Sequence, residues 1–192
     1  MTTAPPRQAT LSPRELDPPV LPGIPVRPGL PDPSGLPELS GLPGGGLRVR
    51  TARPEDAAAL AALSRPFVRS GALRERPLSL YADQASDFLV AESPEGTLDG
   101  CLGLRAHAAA GVLYNFCVAG HRQGCGTGAR LLRAALAKAR TRSLRTLFTA
   151  TTGGGHLFLR HGFAPTPASL APPTWAQSLD PRRNARILAR AV

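Results

Sequence analysis

The sequence predicts one α/β domain, in which a mixed sheet is flanked by helices, behind a disordered N-terminal arm. Twelve of the 21 prolines lie in residues 1–46, a density that excludes regular helix and interrupts any strand ladder. From residue 47 onward, and after an antiparallel start, segments with the period of a strand alternate with segments with the period of a helix. The predicted boundaries are therefore 1–46 for the arm and 47–192 for the folded domain.

The predicted strands are short runs that are apolar at alternate positions or throughout, with turn-forming residues at their ends. A first helix begins at Pro54, which suits the first turn of a helix, and runs to about Ser64, with further helical turns over 65–83. Residues 129–142 form a helix with one apolar face, and residues 156–161 form a short helix. The strands cover residues 47–52, 87–92, 97–105, 113–118, 146–150 and 185–188.

The formal net charge of +10 comes almost entirely from arginine, and the cationic excess lies in residues 47–192. Such a charge attracts nucleic acid, an anionic membrane or a phosphorylated cofactor, and it does not distinguish between them. The three cysteines form no Cys-x-x-Cys pair, which fits a reduced cytoplasm, and no metal site is expected. Because there is no apolar run of about 18 residues and no signal-peptide pattern, we expect a cytoplasmic protein without a membrane partner.

The most informative segment is the glycine-rich run of residues 116–128, which follows a predicted strand and leads directly into a helix. Glycine lets backbone N–H groups point into such a turn, and the helix dipole adds positive charge, so the segment is predicted to bind an anion. A Walker phosphate loop is excluded because no Gly-Lys-Ser/Thr follows. A dinucleotide fingerprint is disfavoured because no acid able to bind a ribose lies between Asp99 and Asp180. The third interpretation is the Gln/Arg-x-x-Gly-x-Gly/Ala loop of coenzyme A binding, matched by Gln123–Gly128.

Four separated segments carry a family resemblance. They are Pro66–Gly71 with 87–92, the Gln123–Gly128 loop, Thr151-Thr152 with His156–Phe163, and Arg183–Leu188. On these residues the chain resembles the GNAT superfamily of acetyltransferases, and more narrowly the acetyltransferase domain of N-acetylglutamate synthase. The resemblance implies a GNAT-like α/β (α+β) fold with a mixed, mostly antiparallel central sheet, two splayed parallel strands and flanking helices. The amino-acid kinase domain of the larger members is not found in this sequence, so a short, stand-alone form is expected.

In the superfamily that this chain resembles, the co-substrate acetyl-CoA lies where two parallel strands splay apart. The resemblance places these strands at residues 113–118 and 146–150, and a strand N–H near Val118 would polarise the thioester carbonyl. The cofactor-binding residues that it implies are Phe116, Cys117, Val118, Gln123, Gly124, Cys125, Gly126, Thr127, Gly128, Phe158 and Arg160.

An amino-acid acceptor needs a fixed cation for its α-carboxylate, and arginine supplies a bidentate guanidinium. The family-like segments make Arg69, Arg183 and Arg186 the candidate substrate-binding residues, with Asn184 as an additional hydrogen-bonding group.

The groups that transfer protons are left open by the sequence. Val112 stands where many members of the superfamily have a glutamate, and Phe158 stands where many have a tyrosine acid. His156 lies in a matched motif and is the preferred catalytic base, since an imidazole titrates near neutral pH. Water is the alternative, as are the other three histidines, His107, His121 and His161.

The resulting hypothesis is an acetyl-CoA-dependent N-acetyltransferase that acts on the α-amino group of an amino acid, with glutamate as the favoured acceptor and arginine biosynthesis as its role. Glutamine, a protein N-terminus or another small amine are alternatives within the same chemistry. A basic nucleic-acid-binding protein and an acetyl-CoA-sensing module are the alternatives from other classes. The scarcity of aromatic residues for base stacking disfavours the first of these, so no nucleic-acid partner is expected, and a homodimer stays open.

Overall fold

The computed structural model describes residues 46–192. The arm predicted for residues 1–46 lies outside the described residues, apart from Gly46. In the described range no helix is long and apolar enough to cross a membrane.

A seven-stranded mixed sheet forms the centre of this range, as predicted. The strand order is β1-β2-β3-β4-β5-β7-β6, and every neighbouring pair is antiparallel except β4–β5, which is parallel. The short strand β6 was not predicted. The strands are β1 (Arg48–Thr51), β2 (Phe88–Glu92), β3 (Leu98–His107), β4 (Ala110–Val118), β5 (Thr146–Thr151), β6 (Ala164–Pro165) and β7 (Arg186–Ala191).

Helices cover both faces of the sheet. The helix predicted to end near Ser64 continues to Arg69, with Pro66 inside it, and its continuation carries Phe67 onto the apolar cluster beneath the sheet. This contact favours continuation of the helix, whereas Pro66 removes one backbone hydrogen bond. The helix α5 was not predicted. The α-helices are α1 (Ala57–Arg69), α2 (Leu78–Asp83), α3 (Thr127–Thr141), α4 (His156–Arg160) and α5 (Pro173–Gln177).

Strand β2 shows how the two faces are filled. Leu89 and Ala91 point into the cluster made with α3, whereas Phe88 and Val90 point into the cluster made with α1 and α2. All four side chains are buried, which explains why this strand is a continuous apolar run and does not alternate between apolar and polar residues.

The two parallel strands separate part of the way along their length. Pairing of β4 with β5 runs from Ala110 opposite Thr146 to Leu113 opposite Thr149, and β4 then continues without β5 to Val118. The β3–β4 register also shifts between Cys101 and Gly103, so β4 contains a bulge. The two parallel strands therefore separate as predicted, and the bulge in β4 lies just beyond Leu113, the last β4 residue that pairs with β5.

Candidate active site

A cavity of about 820 Å³ opens beside the splayed strands. Its walls are β4 from Val112 to Phe116, β5 from Thr149 to Thr151, the segment 72–77 after α1, and parts of the segment 174–185 before β7. The sheet therefore forms the floor of the cavity, and the two loop segments complete its walls. A rigid scaffold with loops around it is a common place for binding and catalytic residues.

The loop between β4 and α3 presents a cluster of backbone amides. Gly124 and Gly126 have φ values of +78° and +81°, a left-handed conformation that glycine adopts without steric cost. Within residues 46–192, no carbonyl accepts a hydrogen bond from the amides of Gly124, Gly126, Thr127, Gly128 or Ala129. The last four belong to the start of α3, where the N–H groups have no partner within the helix. The space beside the two glycines is also open, since a Cβ atom on Gly124 or Gly126 would meet nothing within 4 Å. This donor set fits a diphosphate.

Side chains fix both ends of this loop. The Gln123 Nε2 atom donates to the Val118 carbonyl at 3.0 Å, which closes the loop back onto the end of β4. On the entry side, the buried carboxylate of Asp99 accepts from Arg122 Nε at 2.8 Å and lies 3.1 Å from His121 Nε2. The loop is thus held in shape by the protein before any ligand binds.

The other predicted loop residues divide between solvent and core. Cys125 is exposed, with its thiol 3.7 Å from the Gln123 carbonyl, whereas Thr127 is buried. The backbone amides, not these side chains, are therefore the groups of the loop that are left to bind a ligand.

Phe116 connects the amide cluster with the cavity. Its ring lines the cavity and lies 3.2 Å from the position that a Cβ atom on Gly128 would occupy. Phe158 also lines the cavity and packs edge-on against Phe116, with ring centroids 5.6 Å apart. The diphosphate-type loop and the cavity therefore share a wall.

Cys117 faces the opposite side of the sheet. Its Sγ atom lies 3.4 Å from Cys101 Sγ, inside the cluster covered by α1 and α2. Only the backbone of Cys117 is therefore directed along the strand edge that could meet a cofactor.

Of the four predicted acceptor residues, Arg183 lines the cavity. Its Nη2 atom donates to the carbonyls of Gly71 and Ala72 at 2.6 and 2.7 Å, which joins the two loops that border the cavity. Arg186 donates to the Gly154 carbonyl at 3.2 Å. Three of the predicted residues lie outside the cavity lining: Arg69, Asn184 and Arg186.

His156 and Arg160 lie at the two ends of the short helix α4, and both are exposed. Neither side chain belongs to the cavity lining. Among the other histidines, His107 lines the cavity, and His161 places Nδ1 2.9 Å from the Leu157 carbonyl.

Sequence reasoning missed a cluster of three residues in the cavity lining: Arg76, Arg105 and Tyr114. The guanidinium groups of Arg76 and Arg105 lie 5.0 and 5.1 Å from the centroid of the Tyr114 ring, in cation–π contact with it. Burial raises the pKa of Tyr114 to about 12, so its phenol is neutral at physiological pH. The phenol oxygen donates to Asp87 Oδ2 at 3.2 Å, and the same carboxylate oxygen accepts from Arg105 Nε at 3.1 Å.

Arg76 differs from Arg105 in its charge balance. Arg105 is neutralised by Asp87, whereas Arg76 forms no salt bridge within the described part of the chain. Its Nε atom is buried without a hydrogen-bond partner there, and burial lowers its pKa. A half-buried, unpaired guanidinium at a cavity wall is a binding group for an anion. One sequence signal existed for Arg105, which interrupts an apolar strand, but none existed for Arg76.

The comparison with known families agrees with this geometry. Residues 84–165 match the model of the acetyltransferase (GNAT) domain. This part of the chain is a GNAT acetyltransferase domain. The predicted resemblance to the GNAT superfamily is thereby confirmed for these residues, which contain the amide loop and the splayed strands.

Two relatives match a longer part of the chain than the GNAT domain model does. The chain is similar to an amino-acid acetyltransferase of Ralstonia nicotianae, 35% identical over 117 residues, which are 60% of this chain and 26% of the relative. A second, from Ectopseudomonas mendocina, is 30% identical over 147 residues, 75% of this chain and 34% of the relative.

Among solved structures, the chain is similar to N-acetylglutamate synthase from Neisseria gonorrhoeae, complexed with coenzyme A and N-acetyl-glutamate. The TM-score is 0.72 at 30% identity, covering 77% of this chain and 35% of that one. The chain thus spans about a third or less of the length of these relatives.

Proposed function

We propose that the protein transfers the acetyl group of acetyl-CoA to the α-amino group of an amino acid, with glutamate as the favoured acceptor. The observation that carries the proposal is the wall shared at Phe116, with the amide cluster on one side and the cationic cavity on the other. The first suits a diphosphate and the second suits an acceptor carboxylate, so a donor and an acceptor can be bound side by side.

The donor would be held mainly by backbone. The amides of Gly124, Gly126, Thr127, Gly128 and Ala129 would take the diphosphate, with the positive end of α3 behind them. The edge of β4 after the splay, residues 116–118, would bind the pantetheine arm. When bound, acetyl-CoA supplies a thioester carbonyl, and the Val118 N–H is the proposed group that stabilises negative charge on its oxygen.

The acceptor would be held by cations. Among the arginines that line the cavity without a salt bridge in the described residues, Arg76 is the one whose buried Nε atom lacks a hydrogen-bond partner, so it is the first partner for a carboxylate. Arg183 lines the same cavity, and we keep it as a second partner whose present bonds to two carbonyls an acceptor would have to share or replace. Arg69, Asn184 and Arg186 remain predictions without a contact to the cavity.

The chemistry is direct transfer. The neutral amine attacks the thioester carbon, a C–N bond forms, the C–S bond breaks, and the thiolate of coenzyme A leaves. The amine must lose one proton to a base, for which His156 or water remains the proposal, and the thiolate gains one. Binding both reactants in one orientation supplies much of the rate. A role in arginine biosynthesis, in the cytoplasm, belongs to the same proposal.

An excess of arginine in the cavity disfavours a cationic acceptor such as a polyamine. Arg74, Arg76, Arg105 and Arg183 line it against Glu75 and Asp180. A zwitterionic or anionic amino acid therefore suits the cavity better than a polycation.

The test is release of coenzyme A thiol from acetyl-CoA in the presence of each of the twenty amino acids, with a no-acceptor blank. We expect release with glutamate, or with glutamine as the nearest analogue, and little with lysine or spermidine. Tight binding of acetyl-CoA without turnover of any amino acid would instead indicate a sensing module, and it would contradict the proposed activity.

A further inference from the structure

The bulge in β4 is centred on a residue with unusual backbone geometry. Asn115 has a φ of +48°, and it is the one non-glycine residue with positive φ inside a strand of the described range. It lies two residues beyond Leu113, the last β4 residue paired with β5. Asparagine tolerates this conformation better than most residues, but the conformation costs energy and persists only where the surrounding structure enforces it.

The side chain of Asn115 is bonded on the face of the sheet away from α3. Its Nδ2 atom donates to Ser64 Oγ at 2.9 Å, and its Oδ1 atom accepts from the Tyr81 hydroxyl at 3.5 Å. Ser64 Oγ in turn donates to the Leu60 carbonyl at 2.8 Å. The amide thereby joins β4 to α1 through Ser64 and to α2 through Tyr81.

The backbone of Asn115 is held as well. Its carbonyl accepts from the thiol of Cys101 on β3 at 3.4 Å. Asn115, Ser64, Tyr81 and Cys101 are all 5% exposed or less. Buried polar networks of this kind are costly when one member is lost, because the remaining groups stay without partners. The network therefore gives the bulge one geometry.

We propose that Asn115 is a positioning residue, anchored by Ser64 and Tyr81, which sets the direction of the β4 edge at residues 116–118. The inference rests on the proposed function in one respect, since that edge is the expected binding site of the pantetheine arm. Asn115 acts through the strand: its side chain is buried beneath the sheet and is held there by protein partners. Phe116, the next residue, lines the cavity and contacts the amide loop at Gly128. A rotation of the bulge would therefore move the Phe116 ring and change the shape of both parts of the site.

Three variants separate the backbone from the side chain. Asn115→Gly removes the side-chain hydrogen bonds to Ser64 and Tyr81 but still adopts a positive φ without strain. Asn115→Ala removes the same hydrogen bonds and strains the backbone. Ser64→Ala removes only the hydrogen bond between Asn115 and Ser64. Ser93→Ala is the matched control, because Ser93 is also buried and its hydroxyl accepts from the Thr97 amide in the β2–β3 turn, away from the cavity.

Two readouts apply to each variant. The first is hydrogen exchange of the peptide covering residues 114–119 in the protein without ligand, and the second is the Kd for coenzyme A by calorimetry without an acceptor. We expect faster exchange in all three variants. The expected loss of affinity is about threefold to fivefold for Ser64→Ala and Asn115→Gly and about tenfold or more for Asn115→Ala, following the cost of a lost buried hydrogen bond and of a left-handed alanine.

Unchanged exchange and affinity in Ser64→Ala and Asn115→Ala would overturn the proposal, and so would an equal loss in Ser93→Ala, since that would show only a general loss of stability. Failure of the proposed function would give a different result. If the protein turned over no amino acid, the expected pattern of hydrogen exchange and the expected order of Kd values for coenzyme A could still be observed.

Discussion

Gly126→Glu is expected to weaken coenzyme A binding by about 100-fold or more. Gly126 has a φ of +81°, where any side chain is strained by about 1–2 kcal/mol. The new carboxylate would also stand before the unpaired amides of the loop, where it would compete for their hydrogen bonds and repel a diphosphate. The measurement is the Kd for coenzyme A by calorimetry, with circular dichroism to confirm that the variant is folded.

Gly96→Glu is the matched control for this prediction. Gly96 has a φ of +82°, and a Cβ atom there meets nothing within 4 Å, as at Gly126, but it lies in the turn between β2 and β3. The control carries the same backbone strain and the same added charge without facing the amide cluster. Equal affinities in the two variants would remove the loop from the cofactor site.

Arg76→Met is expected to raise the KM for the amino-acid acceptor by about 30- to 100-fold, which corresponds to the loss of about 2–3 kcal/mol from a charge-assisted hydrogen bond to a carboxylate. Methionine removes the charge that lies 5.0 Å from the Tyr114 ring centroid and keeps a long side chain whose sulfur can contact that ring. The Kd for coenzyme A should stay within about twofold, because the amide loop is a separate part of the site.

The same variant carries a second expectation, on stability. Arg76 is half-buried and lacks a salt bridge among residues 46–192, so removing its charge relieves a desolvation cost. The melting temperature should therefore be maintained or increased. Arg65→Met is the control, since Arg65 lies on α1, is exposed and is outside the cavity lining. An unchanged acceptor KM in Arg76→Met, or an equal rise in Arg65→Met, would show that the acceptor carboxylate lies elsewhere.

The order of the elements and the amide loop could be predicted because their signals are local. Strand and helix periods are contained in a few consecutive residues, and the residues of the 123–128 loop supply their own backbone donors. Helical turns were predicted over 65–83, but the unbroken continuation of α1 through Pro66 to Arg69 could not be predicted, because it depends on Phe67 meeting side chains from other elements. Local preference for a helix end was overridden by packing.

The acceptor side of the site could be predicted only in part. Arg183 was found through a family-like segment, and it does line the cavity. Arg76 gave no signal, because its importance lies in what surrounds it: a ring from β4, no salt bridge in the described range, and a cavity assembled from distant loops. Asn115 was missed for the same reason, since neither its positive φ nor its contacts with α1 and α2 follow from a strand pattern.

The central claim is that unpaired amides before α3 bind the diphosphate of coenzyme A. The most direct measurement is a titration of the ¹⁵N-labelled protein with coenzyme A, followed at the backbone amides. We expect the largest shifts at Gly124, Gly126, Thr127, Gly128 and Ala129, and none at Gly96, whose amide is already bonded to the Ser93 carbonyl. Saturable binding that leaves those five amides unmoved, or no binding at all, would contradict the claim.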